Sequence, residues 1–217
     1  MIKTNKVLLV STLFILLSNV SCTSKQQDKA VPTSKTMTKK MNVKIVLGST
    51  RQGRTSERIG LVLEQLLAKR ADVAVEILDI KDFNLPFLYE ETPPASREKI
   101  TDPAIQKWSE AVASGDAYIM VVPEYNSGYP GVLKNAMDIL YKEWNNKPVA
   151  FVGYSGGDSG GANAIAQLRT VAKAFKMIPI ETEIRIPTSW KAFDKRGGFV
   201  NPVEQELNQM IDSLIRR

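Results

Sequence analysis

The chain has 217 residues, 43% of them hydrophobic and 24% charged, with a formal net charge of +6 and no histidine. That is enough apolar residue for one sizeable core, and seven lysines against Asp28 alone in residues 1–40 carry the whole charge excess, so the remainder is neutral and offers a nucleic acid no global basic field. Without histidine, and with Cys22 as the one cysteine, the composition excludes imidazole acid–base chemistry, Ser-His and Cys-His nucleophile pairs, histidine metal sites and internal disulfides.

Lys3 and Lys6 precede an apolar run from Val7 to Leu17, broken only by Ser11 and Thr12. The run is too short for a stable bilayer span and fits a signal-peptide core over residues 1–21. It ends at Ser18-Asn19-Val20-Ser21-Cys22, which is similar to a bacterial lipoprotein signal with Cys22 as the lipidated residue. Asn19 stands where such signals usually carry leucine. This reading places the protein in the bacterial cell envelope, attached to the membrane through an N-terminal lipid. Two alternatives remain open: an ordinary secretory signal with an incidental cysteine, or translation from Met41, which leaves the protein cytoplasmic. Residues 22–40 are rich in Lys, Thr, Ser and Gln, contain Pro32 and have no apolar period, which predicts a disordered tether before a domain over 41–217.

From Met41 the chain alternates strand and helix patterns. Strands are predicted at 43–47, 73–80, 117–122, 148–153 and 178–186. Helices are predicted at 56–70, 102–114, 131–141, 161–175 and 202–216, the second with Asp102 as N-cap and Pro103 in its first turn. Residues 81–100, with Pro86, Pro93 and Pro94, read as a long loop. Five strands alternating with five helices imply an α/β fold, a parallel sheet with helices on both faces and right-handed crossovers.

In such a sheet the loops after the first, third and fourth strands share one edge, where ligands bind. The first loop, Gly48-Ser49-Thr50-Arg51-Gln52-Gly53-Arg54-Thr55-Ser56, joins glycines, hydroxyls and two guanidinium groups to a helix N-terminus, a chemistry suited to phosphate. It lacks the Gly-Lys-Ser/Thr ending of a Walker loop and the Gly-x-Gly-x-x-Gly spacing, and a plain strand–helix connection stays open. The second, Pro123-Glu124-Tyr125-Asn126-Ser127-Gly128-Tyr129-Pro130, offers aromatic faces and hydrogen-bonding groups to a planar polar ring. The third, Tyr154-Ser155-Gly156-Gly157-Asp158-Ser159-Gly160-Gly161, suits close backbone approach to a flat ligand. Lys134 and Asn135 read as supports for the second loop or for a subunit interface.

Gly48-Ser49-x-Arg51, then Pro123-Glu124-Tyr125-Asn126 with Pro130 and Leu133-Lys134-Asn135-Ala136, then a Gly-Gly loop opening a helix, resembles the NADPH-dependent FMN reductase family over residues 42–185. That family includes quinone, azo-dye and chromate reductases. The resemblance implies a three-layer flavodoxin-like fold with strand order 2-1-3-4-5 and non-covalently bound FMN. It implies phosphate contacts from Ser49, Arg51, Thr55 and Ser56, with Arg54 as an added donor where many members end the loop Ser-x-Asn. It implies ribityl and ring contacts from Pro123, Glu124, Tyr125, Asn126 and Ser127, and contacts to the pyrimidine end from Ser155, Gly156 and Gly157. It also implies a homodimer or homotetramer.

The expected activity is electron transfer from NADPH or NADH through FMN to a small acceptor such as a quinone or free flavin, with no catalytic side chain because the flavin carries the chemistry. A membrane-tethered electron carrier and a non-catalytic flavin-binding module are the alternatives.

Overall fold

A computed structural model describes residues 39–200 and 203–217. The signal-peptide and Cys22 readings, and nearly all of the tether, lie outside these residues. Five parallel strands, β1 (Met41–Leu47), β2 (Val73–Asp79), β3 (Ala117–Pro123), β4 (Pro148–Tyr154) and β5 (Ile178–Ile186), form one sheet in the order β2-β1-β3-β4-β5. The helices are α1 (Ser56–Ala68), α2 (Pro103–Ala113), α3 (Gly131–Asp138), α4 (Ala162–Ala174) and α5 (Val203–Ile215).

The strand sequences explain the layering. Side chains alternate across a strand, and a sheet covered on both faces needs apolar residues at both parities. In β3, Ala117, Ile119 and Val121 join the cluster that packs under α1 and α5, while Tyr118, Met120 and Val122 join the cluster under α2, α3 and α4. Every residue of β3 and β4 is buried. On the second face Trp108 stacks edge-on between Phe83 and Trp144, at centroid distances of 4.8 and 6.1 Å.

Two predicted boundaries move for local reasons. The helix expected over 131–141 ends at Asp138, because the Leu140 N–H turns back to the Met137 carbonyl and Tyr141 leaves the helical region. A 3-10 turn at 142–144 then buries Trp144, whose indole N–H reaches the Met137 carbonyl. The long loop after β2 opens with a 3-10 turn at 80–83, and Asp79 caps it by accepting the Lys81 N–H. The rest of that loop is stapled to α3. The Asn135 amide bonds the Pro86 carbonyl and the Leu88 N–H, and Arg97, half-buried with its side chain 8% exposed, pairs with Glu90 and donates to the Ile139 carbonyl.

The register sets the chain's switch point. Leu47 of β1 sits beside Val121 of β3, and from β1 the chain first crosses to β2 on one side, then to β3 on the other. The diverging loops leave a crevice at this point. At its far side the backbone of α4 meets β4 directly. Gly161 has φ +93°, and a Cβ there would stand 2.6 Å from Gly153 Cα and the Tyr154 nitrogen. A side chain at 161 is therefore opposed by both conformation and contact, whereas Gly156 faces open space. Gly161→Ala is expected to cost about 2–5 kcal/mol, the sum of left-handed strain and overpacking. Gly156→Ala is expected to stay within about 0.5 kcal/mol of the parent. Urea unfolding of the two variants checks the contrast.

Candidate functional site at the carboxyl edge of the sheet

The three unusual loops meet at this edge, and specific hydrogen bonds fix their spacing. Ser49, buried at the end of β1, bonds Tyr125 of the second loop at 2.7 Å between Oγ and Oη. The Glu124 N–H bonds the Tyr154 carbonyl at 2.9 Å, which ties the second loop to the end of β4. Glu124 then reaches across to α4. Its carboxylate accepts the Asn163 backbone N–H and the Asn163 side-chain amide, each at 3.0 Å. The N-cap of α4 is Gly161, which has no side chain to offer, so Glu124 supplies the missing acceptor from another loop.

The second loop is a two-residue hairpin. Tyr125 and Gly128 exchange backbone hydrogen bonds of 2.8 and 3.0 Å, and Asn126 and Ser127 both have positive φ, +51° and +64°. Asparagine tolerates this geometry, but serine is an uncommon choice and stores strain. Gln167 of α4 steadies the turn by donating to the Ser127 carbonyl at 2.8 Å. The result presents Tyr125, Asn126 and Ser127 to solvent with their backbone held.

Arg54 was expected to donate to a ligand phosphate, but the structure spends it elsewhere. Its side chain is buried and bonds the Ser49 carbonyl at 2.6 Å, Glu57 at 2.8 Å, and Asp79 at the end of β2. It braces the first loop from beneath, because a buried guanidinium must satisfy its charge with nearby acceptors. Ser155 is likewise turned inward. Its hydroxyl donates to the Gly157 carbonyl at 2.8 Å and accepts the Gly160 N–H at 2.9 Å, so it shapes the third loop. Both carboxylate oxygens of Glu124 are engaged by Asn163, which makes that side chain a clamp.

Other groups at the rim remain open. Arg51 is exposed, and Thr55 caps the N-terminus of α1 with no side-chain hydrogen bond. Ser56 Oγ and Tyr154 Oη are buried beside each other, and among the described residues neither has a hydrogen-bond partner of normal geometry. Burial pushes the Tyr154 phenol up, which keeps it a neutral donor. The N–H groups of Gly156 and Gly157 donate to no acceptor among the described residues, and both glycines face open space. The edge thus has a helix N-terminus, an exposed guanidinium and orphaned hydroxyls at one end. At the other it has free backbone donors, with a tyrosine-bearing hairpin between them. That combination suits an anion joined to a flat, hydrogen-bonding ring.

Sequence reasoning missed Asn163, Gln167 and Tyr154. The signal for Asn163 was its place in the first turn of a helix whose cap is glycine, which demands a partner from outside.

Fold and site together define a flavodoxin-like α/β protein with its ligand crevice at the switch point. The family model described as NADPH-dependent FMN reductase matches residues 41–191, and the chain belongs to that family. It is 38% identical over 151 residues to an NAD(P)H-dependent FMN reductase of Nectria sp, covering 67% of this chain and 74% of that protein. It is 31% identical over 137 residues to a quinone reductase of Pseudomonas putida, covering 59% of this chain and 67% of that one. Among solved structures it resembles FerB, a flavoenzyme NAD(P)H:(acceptor) oxidoreductase of Paracoccus denitrificans, in fold. The TM-score is 0.67 at 24% identity, covering 81% of this chain and 98% of that one.

Two outcomes follow from the bracing. Arg54→Gln leaves Asp79 and the Ser49 carbonyl without their partner and is expected to lower stability by about 3 kcal/mol, read as a lower urea midpoint with an unchanged slope. Although burial works the other way, hydrogen bonds from Asn163, with Ser159 and Ala164, hold the Glu124 carboxyl below its usual range. A depressed carboxylate stabilises the fold above its unfolded pKa of about 4.3, and that contribution is lost as pH falls through the lower folded value. Hydrogen exchange at the Tyr125 and Gly128 amides is therefore expected to quicken selectively below that range, and Glu124→Gln to flatten the dependence.

Proposed function

We propose that the protein is an FMN-dependent NAD(P)H oxidoreductase that reduces a small acceptor such as a quinone or free flavin. The observation that carries this reading is the convergence of the three loops into one braced rim, open where a phosphate and a planar ring need donors. The residues present fit FMN. Among the described residues, Ser56 Oγ and Tyr154 Oη are buried beside each other with no well-formed hydrogen bond, at a helix N-terminus whose cap, Thr55, makes no side-chain hydrogen bond, a setting that a phosphate would complete. Ser49, Arg51, Thr55 and Ser56 would hold the phosphate. Tyr125, Asn126 and Ser127, with the amides of Gly156 and Gly157, would hold the ring and its side chain. Pro123, Glu124 and Ser155 keep these loops in place.

FMN held by these residues would supply the redox chemistry between NAD(P)H and the acceptor. The protein's own part is positional and electrostatic. Backbone donors of the third loop would suit a ring that gains electron density, and at the phosphate end a neutral Tyr154 phenol adds a donor without a competing negative charge. The exposed hairpin residues Tyr125, Asn126 and Ser127 leave this part of the rim reachable from solvent by donor and acceptor.

Two further parts of the reading rest on other evidence. The sequence around Cys22 supports a lipidated N-terminus and a place in the bacterial cell envelope. Exposed Phe87, Leu88 and Tyr89, on the strap pinned to α3, support a homodimer or homotetramer. An envelope location, where NAD(P)H is scarce, favours the electron-carrier alternative.

Purified protein is expected to be yellow, or to become so with FMN, and to bleach with NADPH or NADH under anaerobic conditions. Failure to bind FMN overturns the reading. Bound FMN that ignores both nucleotides yet accepts electrons from a membrane fraction transfers the assignment to the carrier. Ser56→Ala is expected to weaken FMN binding about 10- to 100-fold, the worth of one hydrogen bond to a charged group.

A further inference from the structure

Residues 187–200 form a surface that neither the fold nor the flavin reading explains. Here the chain leaves β5, makes a 3-10 turn at Ser189–Lys191 and folds into a short hairpin. Phe193 bridges Phe199, the Asp194 N–H bonds the Gly198 carbonyl at 2.9 Å, and the Val200 N–H bonds the Ala192 carbonyl at 2.9 Å. The inner side is fixed. The rings of Phe193 and Phe199 stack at 4.6 Å, pack against the core, and carry the Arg58 guanidinium 4.3 Å above Phe193.

The outer side is unlike the rest of the protein. Trp190 is 67% exposed and Val200 61%, whereas Trp108 and Trp144 are fully buried. Lys191 stands over the Trp190 ring at 4.4 Å, and exposed Lys195 and Arg196 occupy the hairpin tip. Asp194 is the one acid in the segment; one carboxylate oxygen accepts the Arg196 and Gly198 N–H groups and the other lies 3.8 Å from the Arg196 guanidinium, so the net excess is carried by Lys191 and Lys195. Beneath lies an open cavity of about 540 Å³, with Phe199, Val200 and Val203 on its apolar walls and Arg185, Lys191 and Glu206 among its polar lining. A domain whose charges balance as a whole thus gathers a local positive excess around an exposed indole.

We propose that this segment is a docking surface for an anionic lipid bilayer. Tryptophan favours the bilayer interface, and neighbouring lysine and arginine are drawn to anionic headgroups. A second copy of the chain fits poorly. A two-fold contact would set Lys191, Lys195 and Arg196 against themselves. The surface is also coupled to the site. The Thr188 N–H bonds the Gly157 carbonyl at 3.0 Å and the Ser189 N–H bonds the Ser155 carbonyl at 2.9 Å, so the segment is tied directly to the third loop. Docking brings the site's rim to the membrane surface, where apolar acceptors dissolve. The proposal depends neither on Cys22 nor on the identity of the acceptor.

The test uses the full chain and vesicles whose acyl chains carry bromine. Trp190 is the exposed tryptophan among three, so quenching reports on this surface and not on an anchor elsewhere. Vesicles containing phosphatidylglycerol are expected to quench the fluorescence, less so at high salt. Trp190→Phe removes the quenching while the protein still sediments with the vesicles. Lys191→Gln, Lys195→Gln and Arg196→Gln weaken binding about fivefold for each charge removed. Absence of quenching, or equal quenching by phosphatidylcholine alone, overturns the proposal. A concentration-dependent blue shift without vesicles assigns the surface to self-association and overturns it equally.

Discussion

The 2.7 Å hydrogen bond between Ser49 and Tyr125 spans the switch point, where the chain's two directions of travel leave adjacent strands to diverge. A crevice at such a point is a product of topology, but its width is not. Loops leaving β1 and β3 are free to splay or collapse unless something joins them above the sheet. Ser49 and Tyr125 join the first and second loops, Glu124 and Asn163 join the second to α4, and Arg54 holds the first loop to β2. The polar residues of the rim divide into those that maintain the opening and those that face into it.

This division resolves a difficulty raised by the composition. A chain without histidine, and with its one cysteine outside the residues that the family model matches, has little scope for imidazole or thiol catalysis there. The structure spends two of its charged rim residues, Glu124 and Arg54, on architecture. Glu124, with its affinity for protons reduced, caps a helix, and Arg54 is sealed under a loop. What remains available are neutral hydroxyls, backbone amides, the exposed Arg51 guanidinium and the exposed Asp158 carboxylate, a set suited to a protein whose cofactor carries the chemistry.

Much of this was legible in the sequence. Strands β3 and β4 read clearly because a sheet covered on both faces leaves no polar parity, and the three loops stood out against them by glycine and hydroxyl content. What could not be read was direction. Arg54 and Arg51 lie three residues apart in a loop of similar residues, and only the position of Asp79, contributed by another strand, decides which turns inward. Ser155 looked like a ligand donor because its bonds to Gly157 and Gly160 are set by a turn that sequence does not specify. The helix expected to reach residue 141 stopped early for a similar reason, since burial of Trp144 outweighs the helical propensity of the residues before it.

The burial of Arg54 has a consequence for how the site is filled. Its partners are all supplied by the chain itself, so the first loop takes its shape as the domain folds. A ligand arriving later finds the loop preformed and bears little ordering entropy, so its affinity is spent on contacts and not on organising the chain. The same bracing lets the empty protein persist without relaxing into a closed form. Loss and recapture of the cofactor then become an exchange between two states of nearly the same shape, with occupancy following the surrounding concentration of flavin.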